Sequence, residues 1–308
     1  MPLPREVLPG RTYMITRRCT QRQFLLRPDP ATNNAFIYCL AVAAQRAGVL
    51  PIFTAAESNH HHTGIYDPLG TYPDFLEHFH KLLAKCMNSL RGRWENFWSS
   101  EQTSVLRLVD SADVLDKMVY ALTNPCKDNL VAKVTDWPGV NSFEAMLAGE
   151  TLTAVRPDHF FREDGPMPAT ATLTFHRPQE FAGMSREEFV GTLRDRVGAV
   201  ETEAEERRRA TGGRVLGRQA ILDQDWRDSP SSHEPRRELN PRVAAKNKWS
   251  RIEALQRNKE FGNVYRRAFE AFRNGIKDVL FPSGTFWLRR FAAAVCEPWP
   301  DGCAVAPG

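Results

Sequence analysis

Three consecutive histidines, His60, His61 and His62, and a later Tyr120–Asn124 pair are the residues of this chain whose types and spacing could do chemistry. On a strand, successive side chains point to opposite faces, so His60 and His62 would project together and could grip one divalent cation. His61 would then face the other way, into the core, as a structural residue rather than a ligand. Tyr120 and Asn124 stand four apart in a helical stretch and would share a face. Two imidazoles, an amide oxygen and a phenol are the parts needed for a tyrosine to attack a phosphodiester with the help of a metal. Imidazole accepts Mg, Mn, Zn or Ni, so the histidines alone do not select the metal.

Each of these residues also has an ordinary reading. A surface histidine run can bind metal incidentally, a tyrosine can be core packing, and Asn before Pro125 is a common helix stop. Helical geometry separates two of these cases. Leu115, Met118, Val119 and Leu122 form an apolar stripe. At 100° per residue Tyr120 lies about 140° from Leu115, and Asn124 about 180°. Tyr120 is therefore expected off the core face, beside Asp113, Asp116 and Lys117. Arg17, Arg18 and Arg22, close in sequence, could form a phosphate-binding cluster. There is no Walker A motif, no GxGxxG, no GxSxG and no nuclease-type carboxylate cluster.

The elements that must position these groups are legible in outline. Residues 11–18 read as a strand, and Phe36, Leu40 and Ala44 mark a helix after Asp29-Pro30. Residues 52–54 and 60–66 read as strands, with a hairpin around Ser58-Asn59. From Tyr72 to Leu90 an apolar stripe of Phe75, Phe79, Leu82, Cys86 and Leu90 predicts a helix that stops at Arg91-Gly92. A short strand, Ser104 to Leu108, leads through Asp110-Ser111 into the Tyr120 helix. That order predicts an α+β core, an antiparallel sheet with helices on one face. Beyond it, Ala169 to Phe175 alternates like a strand, and Ser185 to Ala210 and Trp249 to Arg273 read as helices. The expected division is residues 1–149 as one domain and 150–308 as a basic, mostly helical accessory domain.

At 308 residues, 42% hydrophobic and 25% charged, the composition is that of a globular protein. No apolar run approaches the ~20 residues of a membrane helix. The six cysteines include no CxxC pair, which fits reduced thiols and a cytoplasmic location. The net charge of +4 is unevenly spread: residues 207–290 hold 20 Lys+Arg against 9 Asp+Glu, a net of +11. Such a block suits a polyanion partner, with Arg266 and Arg267 as candidate DNA contacts. A solvated helical surface balanced by Glu201 to Glu206 is the plainer alternative.

Four segments in order resemble a known family. Arg11-Thr-Tyr-Met-Ile-Thr-Arg-Arg18 looks like the opening strand of the single-tyrosine HUH transposases, in particular the REP-associated tyrosine transposase branch. Ser58-Asn-His-His-His62 matches their Asn-His-hydrophobic-His, Tyr120-Ala-Leu-Thr-Asn-Pro125 their Tyr-Ile-x-x-Asn-Pro, and Asp136-Trp-Pro138 the tryptophan-containing close of the domain. The resemblance covers roughly residues 8 to 145. It implies a ferredoxin-like HUH nuclease core and Asn124 as a third metal ligand beside His60 and His62. It also implies Mg or Mn as the cofactor and Tyr120 as the nucleophile. Single-stranded or hairpin DNA would be cleaved and rejoined through a 5′-phosphotyrosine, by a monomer or a homodimer. Two positions depart from the pattern: histidine at His61 where an apolar residue is usual, and Thr63-Gly64 where aliphatics would continue the strand. They motivate the rival reading, a non-catalytic DNA-binding regulator derived from a transposase.

Overall fold

The computed structural model describes residues 4–232, 240–300 and 303. A five-stranded sheet forms its centre, in the order β2-β3-β1-β4-β7. Strand β1 (Arg11–Arg18) lies between β3 (His60–Asp67) and β4 (Ser104–Leu108), antiparallel to both. The hairpin of β2 (Leu50–Glu57) with β3 turns at Ser58-Asn59 and sets Glu57 opposite His60. The edge strand β7 (Val243–Ala244) pairs parallel with β4. A two-stranded sheet, β5 (Leu152–Val155) with β6 (Thr170–Leu173), packs against α1 (Pro30–Ala47).

Alternation along β1 explains why both faces of the sheet are covered. Tyr13 and Ile15 enter a core built with Phe36, Leu40, Phe75 and Phe79 of α1 and of α2 (Tyr72–Arg91). Met14 enters a second core on the opposite face. That core is built with Val114, Met118 and Leu122 of α3 (Ser111–Leu122) and with Phe189, Leu193 and Val197 of α6 (Arg186–Thr211). A strand with apolar residues on both sides needs cover on both. The α+β class and the helical second half are as the sequence leads one to expect, but the helices occupy both faces of the sheet, not one.

Local chemistry fixes the helix ends. Asp29 accepts from Thr32 N at 2.7 Å, Asp110 with Asp113 and Ser185 with Glu188 form capping boxes, and Gly92 ends α2 at φ 61°. Asp113, expected beside Tyr120 on the exposed face, is buried because this cap uses it; its other oxygen accepts from Lys246 N at 2.9 Å. Between α3 and α6 lie two short helices, α4 (Asn124–Lys127) and α5 (Phe143–Ala148).

The second half is woven into the first. It supplies β7 to the sheet and α6 to the second core, and a short helix, α7 (Arg218–Leu222), buries Ile221 there. Helix α8 (Lys248–Arg273) builds a third cluster of Phe261, Tyr265, Ala268 and Phe281, next to the last helix, α9 (Trp287–Phe291). Of the basic block, Arg236 and Arg237 lie outside the described residues. Among the described residues no helix is long and apolar enough to cross a membrane.

Candidate active site

His60 and His62 stand on the α3 side of β3, with ring centroids 4.9 Å apart. His62 Nδ1 is tied to Thr16 Oγ1, its cross-strand neighbour, at 2.7 Å. His60 Nδ1 donates to Asn59 Oδ1 at 2.7 Å. Both rings are thus oriented through Nδ1 and present Nε2 to the cleft, the arrangement that prepares an imidazole to ligate through its other nitrogen. His62 Nε2 is buried and has no hydrogen-bond partner. Burial, and after it the neighbouring His60, holds His62 well below the usual histidine range. It is therefore neutral near pH 7, the form that accepts a cation.

Tyr120 sits on the last turn of α3, 41% exposed, with its ring 5.6 Å from that of His62. Lys127 and Lys117 flank the ring, their Nζ atoms 4.6 and 5.5 Å from its centroid. Asn124 does not continue the same helix. Thr123 interrupts it, its hydroxyl donating to Val119 O at 2.6 Å, and Asn124 opens α4. The interruption turns Asn124 inward: its Nδ2 donates to Glu57 Oε1 at 2.6 Å and to His60 Nε2 at 3.3 Å.

Glu57 is the residue that sequence reasoning missed. It is buried, its Oε1 lies 3.8 Å from His60 Nε2, and burial pushes its carboxyl up to about 7 against the opposing Asn124 hydrogen bond. The signal was present, because a two-residue turn at Ser58-Asn59 necessarily sets Glu57 beside His60. Among the described residues no group of three or more His, Cys, Asp or Glu is gathered as a metal site. Two imidazoles with an amide and a nearby carboxylate nevertheless fit a divalent cation chemically. The orphaned His62 Nε2 and the desolvated Glu57 both lack what a cation would supply.

These groups open into a cleft of about 1670 Å³ that also takes in Arg17, Arg18 and Arg22. Arg17 donates to Thr103 Oγ1 and lies over Trp98. Arg22, in the left-handed region at φ 58°, donates to Ser232 O at 2.6 Å. Arg266 and Arg267 are exposed on α8 and are not part of the cleft lining.

The two departures from the motif have packing causes. His61 points into the first core between Phe36, Phe79 and Trp98, its Nε2 3.1 Å from His80 Nε2 and its Nδ1 3.0 Å from Thr63 Oγ1. Gly64 makes room for the Phe53 ring, which a Cβ there would meet at 2.1 Å.

No protein-family model matches this chain, and no curated protein matches its sequence. Solved structures similar to it include a REP-associated tyrosine transposase bound to a REP hairpin. That protein is 16% identical, with a TM-score of 0.41, over 57% of this chain and 98% of that one. A candidate transposase from Deinococcus radiodurans R1 is 18% identical, with a TM-score of 0.28, over 34% of this chain and 85% of that one. The first is of the branch that the motif order resembles; what the cleft can do follows from its own side chains.

Proposed function

We propose that this cleft cleaves and rejoins single-stranded DNA, with Tyr120 as the nucleophile. The observation that carries the reading is the convergence of a buried, unpartnered His62 Nε2, His60, Asn124 and the Tyr120 ring on one arginine-lined cleft. His60, His62 and Asn124, with Glu57 beside them, would hold Mg or Mn. Such a cation, when bound, withdraws charge from a phosphoryl oxygen. Arg17, Arg18 and Arg22 bind the backbone phosphates leading to the scissile one. The Tyr120 oxygen forms a bond to phosphorus as the bond to the 3′ oxygen breaks. The phenol proton ends on the departing 3′-hydroxyl, and the 5′ side stays on the protein as a phosphotyrosine. Lys117 and Lys127 oppose the negative charge that gathers beside the ring. The reverse attack by a 3′-hydroxyl rejoins the strand without a nucleotide cofactor.

Incubating the chain with a labelled hairpin oligonucleotide and Mn tests this reading. A covalent adduct on a denaturing gel is expected, lost in Tyr120→Phe and in His60→Ala, with Tyr120→Phe binding DNA within a few-fold of wild type. Retardation without an adduct would favour the regulator reading, and unimpaired nicking by Tyr120→Phe would remove Tyr120 from the chemistry. Arg266 and Arg267 are proposed to hold flanking DNA from α8. Reversing both charges should weaken binding at low salt, and unchanged affinity at low and high salt takes α8 off the DNA path.

A further inference from the structure

A second concentration of positive charge lies at the other end of the sheet. The cleft begins where Arg18 meets His60, whereas Arg11 opens β1 opposite Asp67. At about 3.3 Å per residue these two ends are about 23 Å apart. There Arg5, Arg11, Arg107, Arg242, Tyr13 and Tyr72 line a cavity of about 20 Å³.

Among the described residues Arg5 and Arg107 make no ion pair with a carboxylate. Glu6, the carboxylate at the cavity, already accepts from Arg11 Nη2 at 2.8 Å and from Arg257 Nε at 3.0 Å. Arg5 donates to the Val105 carbonyl, which is neutral. Among the described residues no hydrogen bond or ion pair engages the Arg107 side chain. Tyr13 is 3% exposed, and its hydroxyl, at the same cavity, has no partner. Burial leads the causes that hold Arg5 and Arg107 below the usual arginine range. Half-buried guanidinium groups without a carboxylate of their own are costly, and a single water satisfies donors but not charge. A cavity of this size admits one oxygen. A tetrahedral oxyanion can insert that oxygen toward Tyr13 while its remaining oxygens meet the guanidinium forks at the mouth.

We propose that this is a phosphate-binding site separate from the cleft. It takes a phosphate group either free or as the terminal phosphate of a nucleotide or oligonucleotide. The inference does not rest on the proposed strand-cleaving role of Tyr120, and its test does not read cleavage.

Thermal unfolding of the full chain is followed while inorganic phosphate replaces chloride at constant ionic strength and pH 7. A saturable rise in Tm is expected. The apparent affinity should fall about tenfold or more in Arg107→Gln and in Arg5→Gln, and a few-fold in Tyr13→Phe. Arg214→Ala, exposed and outside both the cavity and the cleft, should leave it unchanged. In chloride alone Arg107→Gln should be as stable as wild type, because it removes a half-buried charge that no carboxylate pairs directly, so lost binding and lost folding are separable. A 5′-phosphorylated dinucleotide that binds more than tenfold tighter than phosphate, in an Arg107-dependent way, assigns the nucleic-acid source; equal affinity assigns free phosphate. A rise that does not saturate, or that is the same in wild type and Arg107→Gln, overturns the proposal. So does an effect of acetate equal to that of phosphate, or a loss in Arg214→Ala equal to that in Arg107→Gln.

Discussion

Replacing Gly64 by alanine tests the packing along the strand that carries His60 and His62. Glycine within a strand costs about 0.5–1 kcal/mol relative to alanine, so backbone propensity alone favours the substitution. The structure reverses that expectation. A Cβ at Gly64 would stand 2.1, 2.4 and 2.7 Å from three carbons of the Phe53 ring, which is fully buried. Carbon atoms settle at about 3.5–4.0 Å, so the ring would have to retreat by more than ~1 Å. It cannot do so freely, because Phe53 follows the irregularity in β2 after Pro51 and packs in the second core. Overpacking of this kind costs about 1–3 kcal/mol; a contact this short belongs near the upper end, which leaves a net loss of up to about 2.5 kcal/mol after the gain in propensity. Urea unfolding followed by tryptophan fluorescence reads the loss as a lower midpoint at unchanged slope. Phe53→Leu should be costly alone but nearly free in the Gly64→Ala background, a coupling of about 1 kcal/mol or more. Gly64 lies two residues from His62 on the same face, so the single variant should also bind Mn more weakly and the double variant recover. If Gly64→Ala is as stable as wild type, or Phe53→Leu costs the same in both backgrounds, the contact does not explain the glycine.

Three further outcomes are expected. A chain truncated to residues 1–149 loses Phe189, Leu193 and Val197 from the second core and β7 from the β4 edge, so it should bind a hydrophobic dye and lack near-ultraviolet circular dichroism; a native-like spectrum would show the first half to be independent. Burial, and secondarily Arg17, holds His80 well below the usual histidine range. It stays neutral in the fold and takes up a proton on unfolding below pH ~6.5. The stability present above that pH is therefore lost as pH falls, by up to about 1.4 kcal/mol per pH unit for this group. In His80→Gln, proton uptake on acid unfolding should drop by about one. Glu57→Gln, which keeps the shape but not the charge beside His60, should weaken Mn binding about 10–100-fold by calorimetry, with Tyr120→Phe as the variant that binds Mn normally.

Much of this arrangement could be read from the chain because its periods are strong. The alternation at His60, His61 and His62 separates two cleft residues from one core residue, and the structure places them so. The stripe from Phe75 to Leu90 delimits α2, and Ser104–Leu108 is a strand as the pattern predicts. What escaped depends on contacts distant in sequence or on single-residue breaks. A two-residue strand such as Val243–Ala244 carries no periodic signal and exists because β4 offers it an edge. The hydroxyl of Thr123, bonding back to Val119, ends α3 one residue before Asn124, and a helical wheel drawn through that position cannot represent the turn inward.

The same break explains why the cleft opens where it does. Along β1 the α3-facing side chains run from Met14, in the second core, to Thr16, which holds His62. Apolar cover is therefore needed only over the first part of the strand. Helix α3 supplies it with Val114, Leu115, Met118, Val119 and Leu122, then stops. Beyond that point the sheet presents His62 and His60, and the residues that meet them are the polar end of one helix and the first residue of the next: Tyr120, half open to solvent, and Asn124, turned onto Glu57 and His60. Because α3 ends at Thr123, Asn124 opens a second short helix with its amide set on Glu57 and His60. The site exists because the apolar run on the strand and the helix that covers it end together, leaving polar groups from both to face one another across the cleft.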